Sequence, residues 1–246
     1  MPALQGKTVL LTEMNCSLAQ ETALAFAREG ADLFLCSSQE SAVIEQVAHK
    51  ASAMGVKVMS ATCDVSDETQ VKDLIEKGIS NFGCVDILVN HAESLMPESS
   101  LAEIPFDQWK QAMKMRLTGT FLICKTILPV ILKSGWGRII NYIGLAGFFG
   151  ADVGTGTPLI ATATSELGIV AFTRGVAREY GTLNITANCI GYVGATAIED
   201  LLPHSAPNLA DPVVQEASSL AVYLSTEAAA LITGQCYLIS GGKYFL

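Results

Sequence analysis

Short apolar runs alternate with longer amphipathic segments along this chain, and that alternation restricts the fold more than any other feature of the sequence. The apolar runs are rich in β-branched residues and bounded by Gly, Asp or Ser, which predicts seven strands, at 7–12, 32–36, 56–61, 85–90, 138–143, 185–190 and 235–239. Helical periodicity between them predicts six helices, at about 17–29, 39–53, 66–81, 107–133, 158–181 and 211–225. This order is typical of βαβ units. We therefore expect one α/β domain over 1–246, a doubly wound seven-stranded parallel sheet in a three-layer α/β/α arrangement.

Composition narrows the classes of partner. The net charge is −9 and the sequence pI is about 4.8, which argues against nucleic-acid binding because no cluster of Lys or Arg could meet phosphates. The seven cysteines are scattered and include no Cys-x-x-Cys pair, so we interpret them as free core thiols and expect no metal site. The most apolar stretch, 119–132, is interrupted by Lys125 and Pro129 and is too short to span a bilayer. We expect a cytoplasmic protein without a membrane partner.

Several segments resemble the classical short-chain dehydrogenase/reductase family. The stretches CDVSDETQV, VDILVNHA, GRIINYIG and SELGIVAFTRGVAREYGTLNITANCI follow one another in the family's order, and the resemblance covers nearly the full length. It implies a Rossmann-type fold, in which the ligand crevice lies at the carboxyl ends of the strands, at the topological switch point. The loops after the predicted strands are therefore the places where cofactor and catalytic residues are expected.

The first of these loops lacks the family's glycines. The family has Thr-Gly-x-x-x-Gly-x-Gly, whereas this chain places Glu13, Ser17 and Ala19 at the three glycine positions, and no glycine occurs between Gly6 and Gly30. Glycines at this turn let backbone N–H groups approach the pyrophosphate of a dinucleotide. Glu13 also adds a carboxylate beside that pyrophosphate. We expect no dinucleotide to bind here, and we expect Met14 and the added side chains to fill the vacated volume.

The other cofactor signals are also missing. The end of the second strand carries Cys36, Ser37 and Ser38 in place of an acid that would hold the ribose. After the fourth strand, the family's Asn-Asn-Ala-Gly becomes NHAE, so that Glu93 adds a second carboxylate beside the nucleotide track. A purely structural interpretation of the first loop is a strand–helix turn in which Asn15 or Ser17 caps the helix.

The residues of the family's chemistry are replaced as well. The resemblance places Arg116 at the family's Asn, Gly144 at its Ser, Thr162 at its Tyr and Glu166 at its Lys. Independently of any alignment, none of the six tyrosines has a Lys four residues later. A Thr hydroxyl has too high a pKa to replace the phenol in proton transfer, and Glu166 reverses the charge that would lower it. We expect no catalytic and no cofactor-binding residue in this chain.

Three functions remain open on this reading. The first is a non-catalytic subunit: family members commonly form tetramers, so the chain would join an active short-chain dehydrogenase paralogue in a hetero-oligomer, with NAD bound only in the partner subunit. The second is an enzyme of another type, a lyase or isomerase, that uses Glu166 as a base and Arg116 as an oxyanion partner. The third is a regulatory module that binds a small ligand in the emptied crevice, where Phe148 and Phe149 could line a pocket.

Overall fold

The computed structural model describes residues 2–91, 100–150, 159–193 and 212–246, and its strands and helices follow the predicted order. The strands are β1 Thr8–Leu11, β2 Asp32–Ser37, β3 Val58–Thr62, β4 Ile87–His91, β5 Gly137–Ile143, β6 Ile185–Tyr192 and β7 Cys236–Ile239. The helices are α1 Ser17–Arg28, α2 Ala42–Ser52, α3 Glu68–Phe82, α4 Phe106–Ala112, α5 Gly119–Ser134, α6 Ala146–Phe149, α7 Ile160–Tyr180 and α8 Pro212–Leu224. All seven predicted strands and all six predicted helical regions are confirmed, with ends shifted by a few residues.

The strands form one parallel sheet in the order β3-β2-β1-β4-β5-β6-β7. From β1 the chain adds β2 and β3 on one side and then β4 to β7 on the other side. The topological switch point therefore lies between β1 and β4. The register there pairs Leu11 with Val89, so the loops that follow the two strands leave the sheet side by side. The predicted doubly wound topology is therefore correct, and it places the first loop next to His91 at the end of β4.

Two apolar layers cover the sheet and produce the predicted α/β/α sandwich. On one face, α1, α2 and α8 pack on alternate residues of the central strands, such as Val9, Leu11 and Leu33. On the other face, α3, α5 and α7 pack on the residues between them, such as Leu10 and Phe34. Successive side chains of a strand point to opposite faces, and both faces are buried here. This burial explains why the strands are continuous apolar runs without alternation.

One long helical segment runs from α4 through a wider, π-helical stretch, Met113–Thr118, into α5. By length and composition alone Phe106–Ser134 could cross a membrane, but half of its most apolar window is buried inside the fold, as in the core helix of a globular protein. Pi-helical insertions are rare and occur mostly at functional sites, where they redirect a side chain. Here the insertion carries Arg116, which is buried in the interior.

Two details differ from the sequence-based expectations. The N-cap of α1 is Cys16, whose sulfur accepts the Ala19 N–H at 3.3 Å, so the prediction of Asn15 or Ser17 as the cap is wrong. All seven cysteines are free as expected, but only four of them are buried; Cys16, Cys84 and Cys236 are partly exposed.

Candidate functional site

The loop after β1 keeps a glycine-type backbone although it lacks glycine. Glu13, at the family's first glycine position, has φ of +50°, in the left-handed region. An L-residue with a Cβ pays roughly 1–2 kcal/mol to adopt this conformation. The backbone of this turn therefore has the conformation that glycine favours, although the residue there is a glutamate under steric strain.

Side chains occupy the space behind this turn. Met14 is fully buried and belongs to the apolar layer that contains Leu11, Leu18 and Leu35, while its N–H donates to the carbonyl of Cys36 at 3.3 Å. Ala19, at the family's third glycine position, is also buried, whereas Ser17 at the second is exposed. Met14 and Ala19 are thus part of the packing that joins α1 to the sheet.

The carboxylate of Glu13 lies in an acidic corner of the crevice. Burial raises its pKa, Asp64 nearby raises it further, and the Ser38 hydroxyl, which donates to Oε2 at 3.4 Å, opposes the shift. A dinucleotide would place its pyrophosphate against the start of α1. Glu13 and Asp64 therefore place the protein's own carboxyl groups at this end of the crevice.

We expect Glu13→Gly to raise the free energy of unfolding by about 1 kcal/mol, because relief of the left-handed strain exceeds the extra chain entropy of glycine. Since the pKa of Glu13 is raised in the folded state, its carboxyl destabilises the fold as pH rises through that pKa, so the gain should be larger at pH 8 than at pH 5. Urea denaturation at both pH values measures it. Glu13→Gln is the control: it removes the charge but keeps the strain, so a gain equal to that of Glu13→Gly would show that strain contributes nothing.

The positions of the family's catalytic residues hold a buried ion pair. Arg116 Nη1 lies 3.3 Å from Glu166 Oε1, and both side chains are less than a tenth exposed. Glu166 also accepts two backbone hydrogen bonds, from Gly144 N at 3.1 Å and from Gly147 N at 3.0 Å. The carboxylate therefore ties α7 to the π-helical stretch and to the loop after β5.

Gly144 makes room for that carboxylate. A Cβ built on Gly144 would lie 2.6 Å from Glu166 Oε1, so no larger residue fits while Glu166 holds its position. The carboxylate thus fills the space beside the residue that stands at the family's Ser. Thr162, at the family's Tyr, is buried one helical turn before Glu166 on the same face of α7. Glu93, the remaining position singled out in the sequence, lies outside the described residues.

Arg116, Gly144 and Glu166 are therefore connected through the Glu166 carboxylate, which the sequence analysis did not predict. Burial raises the pKa of Glu166, while the Gly147 N–H, the charge of Arg116 and the Gly144 N–H oppose the shift. A signal was present in the sequence: a Lys replaced by an acid, together with an Asn replaced by a base, preserves the possibility of a salt bridge. Neither replacement alone predicts the contact.

One small cavity lies among the described residues of the crevice. Its volume is about 40 Å³. Its lining comes from the loops after β1, β2, β3 and β4 and from the long helical segment: Thr12, Glu13, Ser38, Asp64, Val65, Asn90, His91, Met115, Arg116, Gly119 and Thr120. A single water needs roughly 10–15 Å³ measured in this way, so the cavity has room for only a few waters.

His91 joins two further side chains that the sequence reading did not connect. Its Nε2 lies 3.4 Å from Cys16 Sγ and 3.1 Å from Tyr192 Oη. In the sequence, His91 reads as a polar loop residue and Cys16 as a core thiol. Only the parallel sheet, which brings the ends of β1, β4 and β6 to one edge, places them together.

Comparison with known proteins identifies the family. Residues 13–243 match the family described as enoyl-(acyl carrier protein) reductase. The chain is 28% identical to a 3-oxoacyl-[acyl-carrier-protein] reductase of Synechocystis, over 98% of both chains. It is 26% identical to the (2S)-[(R)-hydroxy(phenyl)methyl]succinyl-CoA dehydrogenase subunit BbsD of Thauera aromatica, over 98% of this chain and 97% of that one. A crystal structure from Burkholderia xenovorans assigned to the short-chain dehydrogenase/reductases superimposes with a TM-score of 0.86 at 27% identity, over 98% of both chains. The chain therefore belongs to the classical short-chain dehydrogenase/reductase family, whose members matched here are named as reductases and dehydrogenases.

Proposed function

We propose that this chain is a non-catalytic subunit that assembles with an active, NAD-dependent short-chain dehydrogenase paralogue and stabilises it. The observation that carries the proposal is the Glu166 carboxylate, which sits at the family's Lys position, binds Gly144 N and Gly147 N, and pairs with Arg116. A family catalyst needs a cation there to lower the pKa of a Tyr. This chain has instead an anion whose oxygens are occupied by structural partners.

The cofactor side of the crevice supports the same proposal, because its residues do not fit a dinucleotide. The half-buried carboxylate of Glu13 would face the pyrophosphate, and two unit charges about 4 Å apart repel by roughly 4 kcal/mol at an effective dielectric of 20. The cavity of about 40 Å³ that Glu13 and Arg116 line is far below the several hundred Å³ of a typical ligand pocket. We therefore propose that NAD binds in the partner subunit.

Exposed apolar residues supply a surface for assembly. On the α4–α5–α7 side, Phe106 is 72% exposed, Phe121 44% and Leu167 43%. At the C-terminal side, Leu231 and Phe245 are also exposed. We propose that these side chains contribute to a protein–protein contact, since exposed apolar patches mark such sites. A paralogue with the same fold offers the matching helices, as in a two-fold interface.

As one specific partner we propose the active subunit of 2-[hydroxy(phenyl)methyl]-succinyl-CoA dehydrogenase of anaerobic toluene degradation. Support for it is that BbsD, a subunit of this dehydrogenase, is 26% identical to the chain over nearly the full length of both. The 3-oxoacyl reductase relative is 28% identical, so identity by itself does not single out this partner. The wider proposal of a dehydrogenase paralogue is independent of this narrower one.

Expression of the chain alone and together with an active short-chain dehydrogenase paralogue from the same genome tests the proposal. We expect the lone chain to release no heat with 1 mM NAD in calorimetry, and we expect the two chains to co-purify as a mixed oligomer with higher specific activity than the partner alone. Phe121→Glu on α5 should weaken this assembly, because it buries a charge in the contact. Met54→Glu, at a residue 44% exposed after α2, is the matched control and should not.

Other outcomes would contradict the proposal in distinct ways. Oxidation of an alcohol with NAD by the lone chain would show that it is a catalyst. Turnover of a non-redox substrate that disappears in Glu166→Gln would establish the lyase or isomerase alternative. Binding of a small ligand without turnover and without a partner would establish the regulatory alternative.

A further inference from the structure

Three side chains to which the proposed function gives no role meet at the carboxyl edge of the sheet. Cys16 comes from the β1–α1 turn, His91 from the end of β4 and Tyr192 from the end of β6. Cys16 Sγ lies 3.4 Å from His91 Nε2 and 3.6 Å from Nδ1, and His91 Nε2 lies 3.1 Å from Tyr192 Oη. A thiol, an imidazole and a phenol in contact form a nucleophile next to a chain of hydrogen-bonding groups.

The surroundings of His91 fix its ring and its charge. His91 is almost fully buried, its ring lies 5.7 Å from the ring of Tyr142 in a tilted arrangement, and its backbone N–H donates to Thr12 Oγ1 at 3.0 Å. Burial, with a smaller contribution from Arg116, lowers the pKa of His91 to about 4. The imidazole is therefore neutral at physiological pH, so one ring nitrogen accepts a hydrogen bond and the other donates one.

The neutral imidazole of His91 contacts both the Tyr192 hydroxyl and the Cys16 sulfur. If the Tyr192 hydroxyl donates to Nε2, the ring proton resides on Nδ1, which lies 3.6 Å from Cys16 Sγ. The Ala19 N–H, in the first turn of α1, also donates to Sγ at 3.3 Å. The sulfur therefore accepts a helix N–H and contacts a polar imidazole, and donors beside a sulfur stabilise a thiolate over a thiol.

A second cysteine of similar exposure has the opposite surroundings. Cys84 is also partly exposed, but its thiol donates to Asp86 Oδ2 at 3.4 Å. Burial and the charge of Asp86 raise the pKa of the Cys84 thiol. The two partly exposed cysteines therefore differ: Cys16 Sγ accepts a backbone N–H, whereas the Cys84 thiol donates to a carboxylate.

The geometry points to Cys16 as a reactive thiol site for small soft electrophiles, with His91 and Tyr192 as the groups that position and activate the sulfur. The thiolate attacks the electrophilic carbon, a sulfur–carbon bond forms, the leaving group departs with its electron pair, and the thiol proton is released to water. With iodoacetamide as the probe, the sulfur is carbamidomethylated and iodide leaves. The site lies at the edge of the crevice, and its reactivity does not depend on a partner subunit.

Limited alkylation of the native chain tests this inference. With iodoacetamide at pH 7 and peptide mass mapping over time, we expect Cys16 to react about tenfold faster than Cys84, since a thiolate, and not a thiol, is the nucleophile. Equal rates at the two cysteines, or faster reaction at Cys84 or Cys236, would overturn it. The readout requires neither NAD nor a paralogue, so its failure is distinguishable from failure of the proposed function.

Tyr192→Phe separates activation from simple access. It removes only the hydroxyl that orients the imidazole, so the Cys16 rate should fall severalfold while the Cys84 rate stays constant. Tyr223→Phe, at a tyrosine 46% exposed on α8, is the matched control and should change neither rate. An unchanged ratio of the two rates in Tyr192→Phe would refute the role of the His91–Tyr192 pair, and circular dichroism checks that each variant is folded.

Discussion

We expect Arg116→Met to lower the free energy of unfolding by about 3–5 kcal/mol at pH 8, because it removes one partner of a buried ion pair and leaves the other charge without its counterion. Methionine fills a similar volume without a charge, so the loss is mainly electrostatic. Urea denaturation followed by circular dichroism measures it. Arg178→Met, at an exposed position of the same helix as Glu166, is the control and should change stability by less than about 0.5 kcal/mol.

The same variant has a pH signature whose sign follows from Glu166. Arg116 opposes the rise that burial imposes on the pKa of Glu166, so without Arg116 the folded-state pKa rises further above its unfolded value. A carboxyl with a raised folded-state pKa contributes stability at low pH and loses that contribution as pH rises through the folded-state pKa. The deficit of Arg116→Met relative to the wild type should therefore be smaller at pH 5 than at pH 8. A deficit independent of pH would show that Glu166 is not the group left uncompensated.

Glu166→Gln completes the test as a double-mutant cycle. Glutamine keeps one acceptor oxygen for the backbone N–H groups but offers Arg116 no charge. If the pair acts as a unit, the double variant should be more stable than the sum of the single effects predicts, by about 0.5–3 kcal/mol. Additive effects would mean that the two side chains contribute independently.

The fold could be predicted from the sequence because its signals are local. Each strand is a short run of β-branched and apolar residues, and burial of both sheet faces keeps those runs continuous, so that β1 and β4 are recognisable without neighbours. The order of strands and helices then leaves few possible topologies. The same local reading located Glu13, Arg116, Gly144 and Glu166 as departures from the family.

The contacts among those departures could not be predicted in this way. Arg116 and Glu166 are 50 residues apart, and Glu166 and Gly144 are 22 apart, so nothing in the local pattern says that Glu166 contacts both of the others. From the sequence, Arg116 and Glu166 act together only in the lyase or isomerase alternative, and Gly144 is a separate loss. The structure relates all three through one carboxylate, whose position depends on the π-helical stretch that carries Arg116 and on the close approach of Gly144.

The prediction of the residue that caps α1 was wrong for a different reason. Ser and Asn are better caps than Cys by propensity, so Asn15 and Ser17 were the natural choices. In the structure, Asn15 instead donates to the Ser37 hydroxyl at 2.7 Å, and the turn made by Glu13 leaves Cys16 in the extended conformation that a cap needs. Propensity ranks the candidates, but tertiary contacts decide which one faces the helix.

Gly144 provides the second large effect, and it tests whether the replaced catalytic positions depend on one another. We expect Gly144→Ala to lower the free energy of unfolding by about 1–3 kcal/mol, because its Cβ would lie 2.6 Å from Glu166 Oε1 and would force the carboxylate away from its partners. A glutamate end on the surface could move cheaply, but this one would leave Arg116, Gly144 N and Gly147 N.

Two further variants show whether that contact is the cause. In a Glu166→Ala background the obstruction is gone, so Gly144→Ala should cost almost nothing there. Gly175→Ala, on the exposed side of α7 with no atom within 4 Å of the added Cβ, should instead stabilise by about 0.5–1 kcal/mol, as alanine does in a helix. The same loss from Gly144→Ala in both backgrounds would mean that the glycine serves the backbone alone. If Gly144→Ala lowers the free energy of unfolding only when Glu166 is present, then a serine at position 144, as in the family, requires removal of the Glu166 carboxylate.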